Sequence, residues 1–144
     1  MYYSVYLLAT YRGPEDVYVG YTCSIVRRFK EHTNPNKKKG YTAGKKWRVV
    51  CYLHGLPDIK TARAFEDRFK KPKPRAKSPL RRNRKIKELC AMLYMERVKP
   101  NITKTKQLNL SLHWPNKMYY DSIVKETIAE GCMIQWPDYI RHVF

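Results

Sequence analysis

Acidic residues are scarce in this chain: 12 Asp and Glu stand against 30 Lys and Arg over 144 residues, a formal net charge of +18 at pH 7. A surplus of that size excludes an ordinary cytosolic metabolic enzyme as the default reading. It implies a polyanionic partner, nucleic acid ahead of a membrane surface. Paired cysteines are lacking as well. Cys23, Cys51, Cys90 and Cys132 stand 28 to 42 residues apart with no C-x-x-C, which excludes a zinc finger and a disulfide framework and leaves four reduced thiols of an intracellular protein. A long apolar run is the third absence. The stretch Val5–Ala9 is far too short to cross a bilayer and no basic segment precedes it, so neither a signal peptide nor a membrane anchor is expected.

What the chain does have is 43% hydrophobic and 13% aromatic content, enough for a core, which excludes a disordered polybasic tail. At this length one domain, with at most a small appendage, buries roughly two-thirds of its unfolded surface. Tyr2–Thr10 is rich in Tyr, Val and Leu, and Val17–Tyr21 repeats that flavour after the turn-like Arg12-Gly13-Pro14-Glu15-Asp16; this predicts a β-hairpin. Cys23–His32 sets Ile25, Val26 and Phe29 on one face, as in a short amphipathic helix. A polar loop over Thr33–Lys46 leads into the apolar run Trp47–Leu53, read as a buried strand. Pro57-Asp58 offers an N-cap for a helix over Thr61–Lys70, which carries Ala62, Phe65 and Phe69 at helical spacing. The predicted order is β-β-α-β-α, an α/β (α+β) fold.

Arg68–Lys87 holds eleven Lys and Arg and no acid, with Pro72, Pro74 and Pro79 breaking any helix in its middle; it reads as an exposed arm. Beyond it, Ile86, Leu89, Cys90 and Leu93 predict a helix, Leu108, Leu110, Leu112 and Trp114 a half-buried strand, and Tyr120–Ile128 a last helix stopped by Gly131. The expected organisation is a core over 1–72, a basic linker over 73–85 and a helix-strand-helix extension over 86–144 packing on the core. The tail Cys132–Phe144 is too apolar to float free, so it packs back or meets a partner.

Glu66 is the most informative position. It lies about 40° round the helix from Ala62, inside the apolar sector, where a carboxylate is costly unless paired with a cation or bound to a metal. In the first helix Arg28 and His32 are four residues apart on the border of the apolar face. Tyr6 and Tyr18 sit on the two hairpin strands. They share a face if the pairing register sums to an even number, and near 24 they are direct partners. Each is ordinary taken alone. Together a phenol, a guanidinium and a carboxylate from three elements make the set that phosphodiester hydrolysis needs.

On these residues the chain resembles the GIY-YIG nuclease superfamily, closest to the Slx-type structure-selective endonuclease subunit. The two motif halves are Ser4-Val5-Tyr6 and Tyr18-Val19-Gly20, separated by the eleven residues Leu7–Val17. The helical Arg falls on Arg28, a His or Tyr position on His32 and the metal-binding Glu on Glu66. Further matching runs are Tyr21-Thr22, Lys46-Trp47, Leu53-His54-Gly55-Leu56-Pro57 and Phe65-Glu66 followed by Pro72. Ser4 replaces the first motif's Gly, Tyr21 stands where some bacterial relatives carry Lys, and no cysteine pairs are present to build the zinc-bound RING of Slx-type proteins. The resemblance implies a central antiparallel three-stranded sheet flanked by helices and metal-dependent cutting of branched DNA (flaps, forks, Holliday junctions) in recombination or repair.

It also implies roles. One Mg²⁺ or Mn²⁺ would be held mainly by Glu66, with Tyr18 as general base, Arg28 on the phosphate oxygens, and Tyr6 and His32 orienting base and water. Backbone contacts to DNA are expected from the loop lysines Lys37, Lys38, Lys39, Lys45 and Lys46 and from Arg68, Lys70, Lys71, Lys73, Arg75, Lys77, Arg81, Arg82, Arg84 and Lys85. The basic run would also serve as a nuclear localisation signal. A homodimer or a scaffold protein is the expected partner of the C-terminal region, and the expected compartment is intracellular, the nucleus in a eukaryote. Three rivals stand beside this reading: a binding module of the same fold without catalysis, a sequence-specific nuclease, and a basic structural RNA-binding protein, which explains the charge but not the spaced motif.

Overall fold

The computed structural model describes residues 1–11, 14–34, 40, 42–71 and 76–144. One five-stranded sheet organises them, with strands β1 (Tyr3–Thr10), β2 (Val17–Thr22), β3 (Trp47–Leu56), β4 (Ser111–His113) and β5 (Arg141–Val143) in the spatial order β2-β1-β3-β4-β5. All pairings are antiparallel except β4 with β5, which is parallel. The helices are α1 (Ile25–His32), α2 (Ile59–Lys70), α3 (Arg81–Leu93) and α4 (Lys117–Ala129).

β1 lies inside the sheet and is buried on both faces, which explains its unbroken apolar sequence. Val5, Leu7 and Ala9 join Phe65 and Phe69 of α2 and Ile86, Leu89 and Leu93 of α3 in the main core, while Tyr6 and Leu8 point the other way, to Trp47, Ile25 and Phe29. The alternation of side chains along a strand assigns the two sets to opposite faces. α1 starts where Ser24 accepts from the Arg27 N–H and α2 where Asp58 accepts from the Thr61 N–H; these side chains satisfy amides that the first helical turn leaves without partners.

The three antiparallel strands expected from the sequence are the β2-β1-β3 part of a larger sheet. β4 is also shorter than its alternation predicts: a 3₁₀ turn occupies Thr105–Gln107, and only Ser111–His113 pairs with β3. Leu108 and Leu110 are buried all the same, so the alternating pattern reported burial rather than a ladder.

The exposed-arm reading of Arg68–Lys87 needs correction at both ends. Arg68 and Lys70 belong to α2, and α3 begins at Arg81. Arg82 pairs with Glu15 at 2.9 Å, Arg81 with Asp16 at 3.4 Å, and Lys87 with Glu126 at 3.2 Å and Glu130 at 2.9 Å. Lys85 pairs with the buried Glu88 at 3.1 Å and donates to the Phe69 carbonyl. The chain's few acids therefore draw this half of the run inward, because a buried carboxylate is tolerable only beside a cation. Pro72, Lys73, Pro74 and Arg75 lie outside the described residues.

The apolar tail packs back. β5 runs beside β4, and the Trp114 indole N–H donates to His142 Nδ1 at 3.1 Å, with the two rings stacked at 18°. Burial lowers the pKa of His142 below its ordinary 6.5, and burial with nearby His54 and Arg141 lowers that of His113. A histidine whose folded pKa is depressed contributes stability that is present above the unfolded value and lost as pH falls through the folded one. The denaturation midpoint should therefore fall as pH drops below about 6.5. The His142→Phe protein, which has no proton to take up there, should show a smaller fall; an equal fall in both would remove His142 from the account.

Candidate active site

The hairpin register decides the geometry. Tyr6 faces Gly20 and Leu8 faces Tyr18, so the pairs sum to 26. Tyr6 and Tyr18 share a face as diagonal neighbours, not as direct partners, with ring centroids 6.3 Å apart. Gly20 has a steric reason. A Cβ there would overlap the Tyr6 hydroxyl and come within 2.5 Å of its Cζ, so the Tyr6 ring lies across β2 in space that only glycine leaves open.

From this position Tyr6 meets α1. Its hydroxyl accepts from Arg28 Nε–H at 3.3 Å and bonds His32 Nε2 at 2.8 Å. Burial, partly offset by Arg28, pushes the Tyr6 phenol up to about 12, so Tyr6 keeps its proton at neutral pH. Arg28 can only donate, so the Tyr6 oxygen accepts from it; His32 bonds the Tyr6 hydroxyl through Nε2 and Thr42 Oγ1 through Nδ1, the latter at 2.8 Å. The Thr42 carbonyl in turn accepts from Trp47 Nε1–H at 3.0 Å. Arg28 is held from its other side by Glu31 at 2.8 Å. The chain Arg28, Tyr6, His32, Thr42 thus fixes a guanidinium at the mouth of a cleft through partners that are themselves buried.

Tyr18 lies beside this chain, its ring 5.0 Å from that of His32 and edge-on to Trp47 at 6.3 Å, with the Lys70 ammonium 6.0 Å above it. Glu66 arrives from α2 past the edge strand β2. Its side chain is 16% exposed and pairs loosely with Lys70 at 3.6 Å. Glu66 therefore borders the apolar face of α2 and lines the cleft, and is not sealed in the core as its helical angle suggested. A cleft of about 420 Å³ is lined by Tyr6, Tyr18, Gly20, Arg28, Glu31 and Glu66, among others. His32, 3% exposed, sits behind Tyr6.

Sequence reasoning missed several residues of the cleft. Arg27, Glu31, Tyr21 and Ile59 also line it, and Arg63 donates to the Tyr21 hydroxyl at 3.1 Å. Arg63 stands one turn before Glu66 on α2, a helical spacing that could have pointed to it. Thr42 sits in a polar loop with no pattern to reveal it. Of the expected DNA contacts, Lys37, Lys38, Lys39, Lys73 and Arg75 lie outside the described residues. Lys45 pairs with Asp16 at 2.7 Å and Arg68 donates to the Val98 carbonyl, while Lys71, Lys77 and Arg84 are exposed.

Among the described residues no three His, Cys, Asp or Glu side chains gather as a ready-made metal cage. The donors at the cleft are carboxylate oxygens, Glu66 with Glu31 nearby. Such a set fits a hard cation that keeps most of its water shell and takes further ligands from a phosphate, as Mg²⁺ does.

A family model described as the GIY-YIG catalytic domain matches residues 2–79, more than half of the chain. The chain belongs to the GIY-YIG family. The matched part of this GIY-YIG protein runs from β1 through α2 and contains every side chain of the cleft. It is also similar to proteins of the Slx type. "Structure-specific endonuclease subunit SLX1" of Homo sapiens is 37% identical over 78 residues, which cover 49% of this chain and 28% of that protein. The slx1 subunit of Schizosaccharomyces japonicus is 29% identical over 89 residues, 60% of this chain and 33% of that one. A homologue from Leishmania major is 36% identical over 72 residues, 45% and 10% of the two chains. The GIY-YIG protein therefore spans a third or less of these relatives' own lengths. α3, β4, α4 and β5 lie beyond the family match, yet β4 and β5 extend the same sheet. No helix among the described residues is long and apolar enough to cross a membrane.

Proposed function

We propose that this protein is a divalent-metal-dependent endonuclease that hydrolyses a phosphodiester bond in branched DNA during recombination or repair. The convergence of Tyr6, Tyr18, Arg28 and Glu66 on one 420 Å³ cleft carries the reading, and the words "structure-specific endonuclease" in the relatives' names support its substrate class. In this reading Glu66 holds Mg²⁺ or Mn²⁺. When bound, that ion polarises the scissile phosphate and stabilises the leaving oxygen.

The protein's own groups do the rest. Arg28, aimed by Tyr6 and Glu31, holds the non-bridging oxygens, a planar two-pronged task for which Lys is poorly shaped. Tyr18 takes the proton of the attacking water as the new O–P bond forms and the bond to the leaving oxygen breaks. Tyr6 keeps its own proton and, with His32 behind it, positions Arg28. Exposed Lys71, Lys77 and Arg84, with Lys46, supply sequence-independent contacts to phosphates. The word "subunit" in the relatives' names supports a protein partner, which we assign to the region beyond α2. The protein works where DNA is handled, in the nucleus of a eukaryote.

The test is to incubate the protein with linear duplex, 5′-flap, fork and four-way-junction DNA, with and without Mg²⁺. Branched substrates alone should be nicked, and only with the metal; equal cutting of linear duplex would overturn the structure-selective part. Arg28→Ala should slow nicking at least about 10²-fold, the usual cost of losing one donor to transition-state charge. Arg28→Lys should restore little of it.

A further inference from the structure

We propose that a second cavity beside the cleft binds one unpaired nucleotide of the substrate strand and so favours DNA with a single-stranded arm, an inference that rests on the nuclease reading. The cavity, about 510 Å³, shares Ile59 with the cleft as a common wall. That volume lies within the range of sites that hold small organic ligands. Its apolar surface comes from the buried Ala64 and Ile102 and from Ile59, which is 45% exposed. Lys60, Arg63 and Lys99 stand around it.

These cations differ from those at the start of α3. Arg82, Lys85 and Lys87 are neutralised by Glu15, Glu88, Glu126 and Glu130. Lys60 and Arg63 are exposed and make no ion pair among the described residues. Arg63 is anchored through Nε to Tyr21, a residue of the cleft wall, so its charge is held at the boundary between the two cavities. Lys99 is shared with Asp67 at 2.6 Å.

Cations around an apolar floor select the ligand. A duplex offers phosphates and sugars outward and keeps its base faces stacked inside, so it would use the cations and leave the exposed Ile59 wet. An unpaired nucleotide brings both halves, a phosphate for Lys60 and Arg63 and an unstacked base whose apolar face covers the exposed Ile59 side chain. Continuity with the cleft places that nucleotide on the strand being cut, next to the scissile phosphate.

The experiment measures binding of the full chain in EDTA, where nothing is cut, to two fluorescent probes: a blunt duplex, and the same duplex carrying a single-stranded thymidine arm. The wild-type protein should prefer the armed probe. Lys60→Glu/Arg63→Gln should weaken armed-probe binding about tenfold or more and lower its log–log salt slope by about 1.4, two single-strand phosphate contacts, with less than a twofold change on the blunt duplex. Equal loss on both probes would make the cavity a plain duplex track and overturn the proposal, as would no loss on either. Nicking is scored separately with Mg²⁺. Arm-selective loss in a protein that never nicks keeps this site and sinks the nuclease reading; normal nicking without arm-selective loss sinks this site alone.

Discussion

Glu66→Gln is expected to stop nicking of branched DNA, with a fall of at least about 10³-fold in rate, while DNA binding and the unfolding midpoint stay near those of the wild-type protein. The magnitude follows from the ion's part in the reaction: it supplies several kcal/mol of charge stabilisation, and each 1.36 kcal/mol is a factor of ten. Gln keeps the shape of the side chain and removes the charge that holds the ion. The fold has little to lose, since the one ion pair Glu66 makes among the described residues is a loose one at 3.6 Å to Lys70, whose side chain is 49% exposed; such pairs contribute about 0–1 kcal/mol. Nicking by single-turnover gel assay, binding by fluorescence anisotropy and unfolding in denaturant check the three parts. A mutant that cuts at the normal rate in Mg²⁺ ends the metal assignment; one that neither cuts nor binds shows that Glu66 shapes the cleft instead.

Gly20→Ala should be nearly as damaging, for a reason that lies in packing and not in charge. The added methyl group would overlap the Tyr6 hydroxyl and crowd its Cζ at 2.5 Å. Tyr6 cannot swing aside: it is 1% exposed and tied to Arg28 and His32. Either the ring leaves its hydrogen-bond chain or β1 and β2 spread apart. Overpacking of this kind costs about 1–3 kcal/mol, and a displacement of about 1 Å in a positioned group costs about 10²-fold in rate. The double mutant Gly20→Ala/Tyr6→Phe separates the causes. If the clash is with the hydroxyl, part of the lost stability returns while nicking stays low, because Arg28 still lacks its positioning partner; full recovery of nicking would remove Tyr6 from the site.

Much of the fold was legible. The hairpin, α1 and α2 show in alternation and in 3.6-residue spacing because each element must hide one face, and that pressure acts on every residue along it. The start of α3 was not, since Arg81 and Arg82 read as exposed basic residues until Asp16 and Glu15 are seen beside them. β5 was invisible for a related reason: three residues pairing in parallel with β4 carry no periodic signal of their own.

The candidate site divides in the same way. By itself the sequence determined which residue types recur at motif spacing: Tyr6 and Tyr18 on paired strands, Arg28 and His32 one helical turn apart, and Glu66 within the apolar sector of a helix. Local periodicity sets these relations, and neighbours along the chain enforce it. Only the tertiary structure decided that Tyr6 lies over Gly20, that His32 and Thr42 stand behind it, and that Glu66 opens into the cleft past the edge of β2. It also decided which of the thirty cations are spent on the twelve acids. Those outcomes depend on register and on distances between residues far apart in sequence. A strand pattern specifies which face a side chain takes but not which residue it meets, and a charge count does not say where the opposite charges lie.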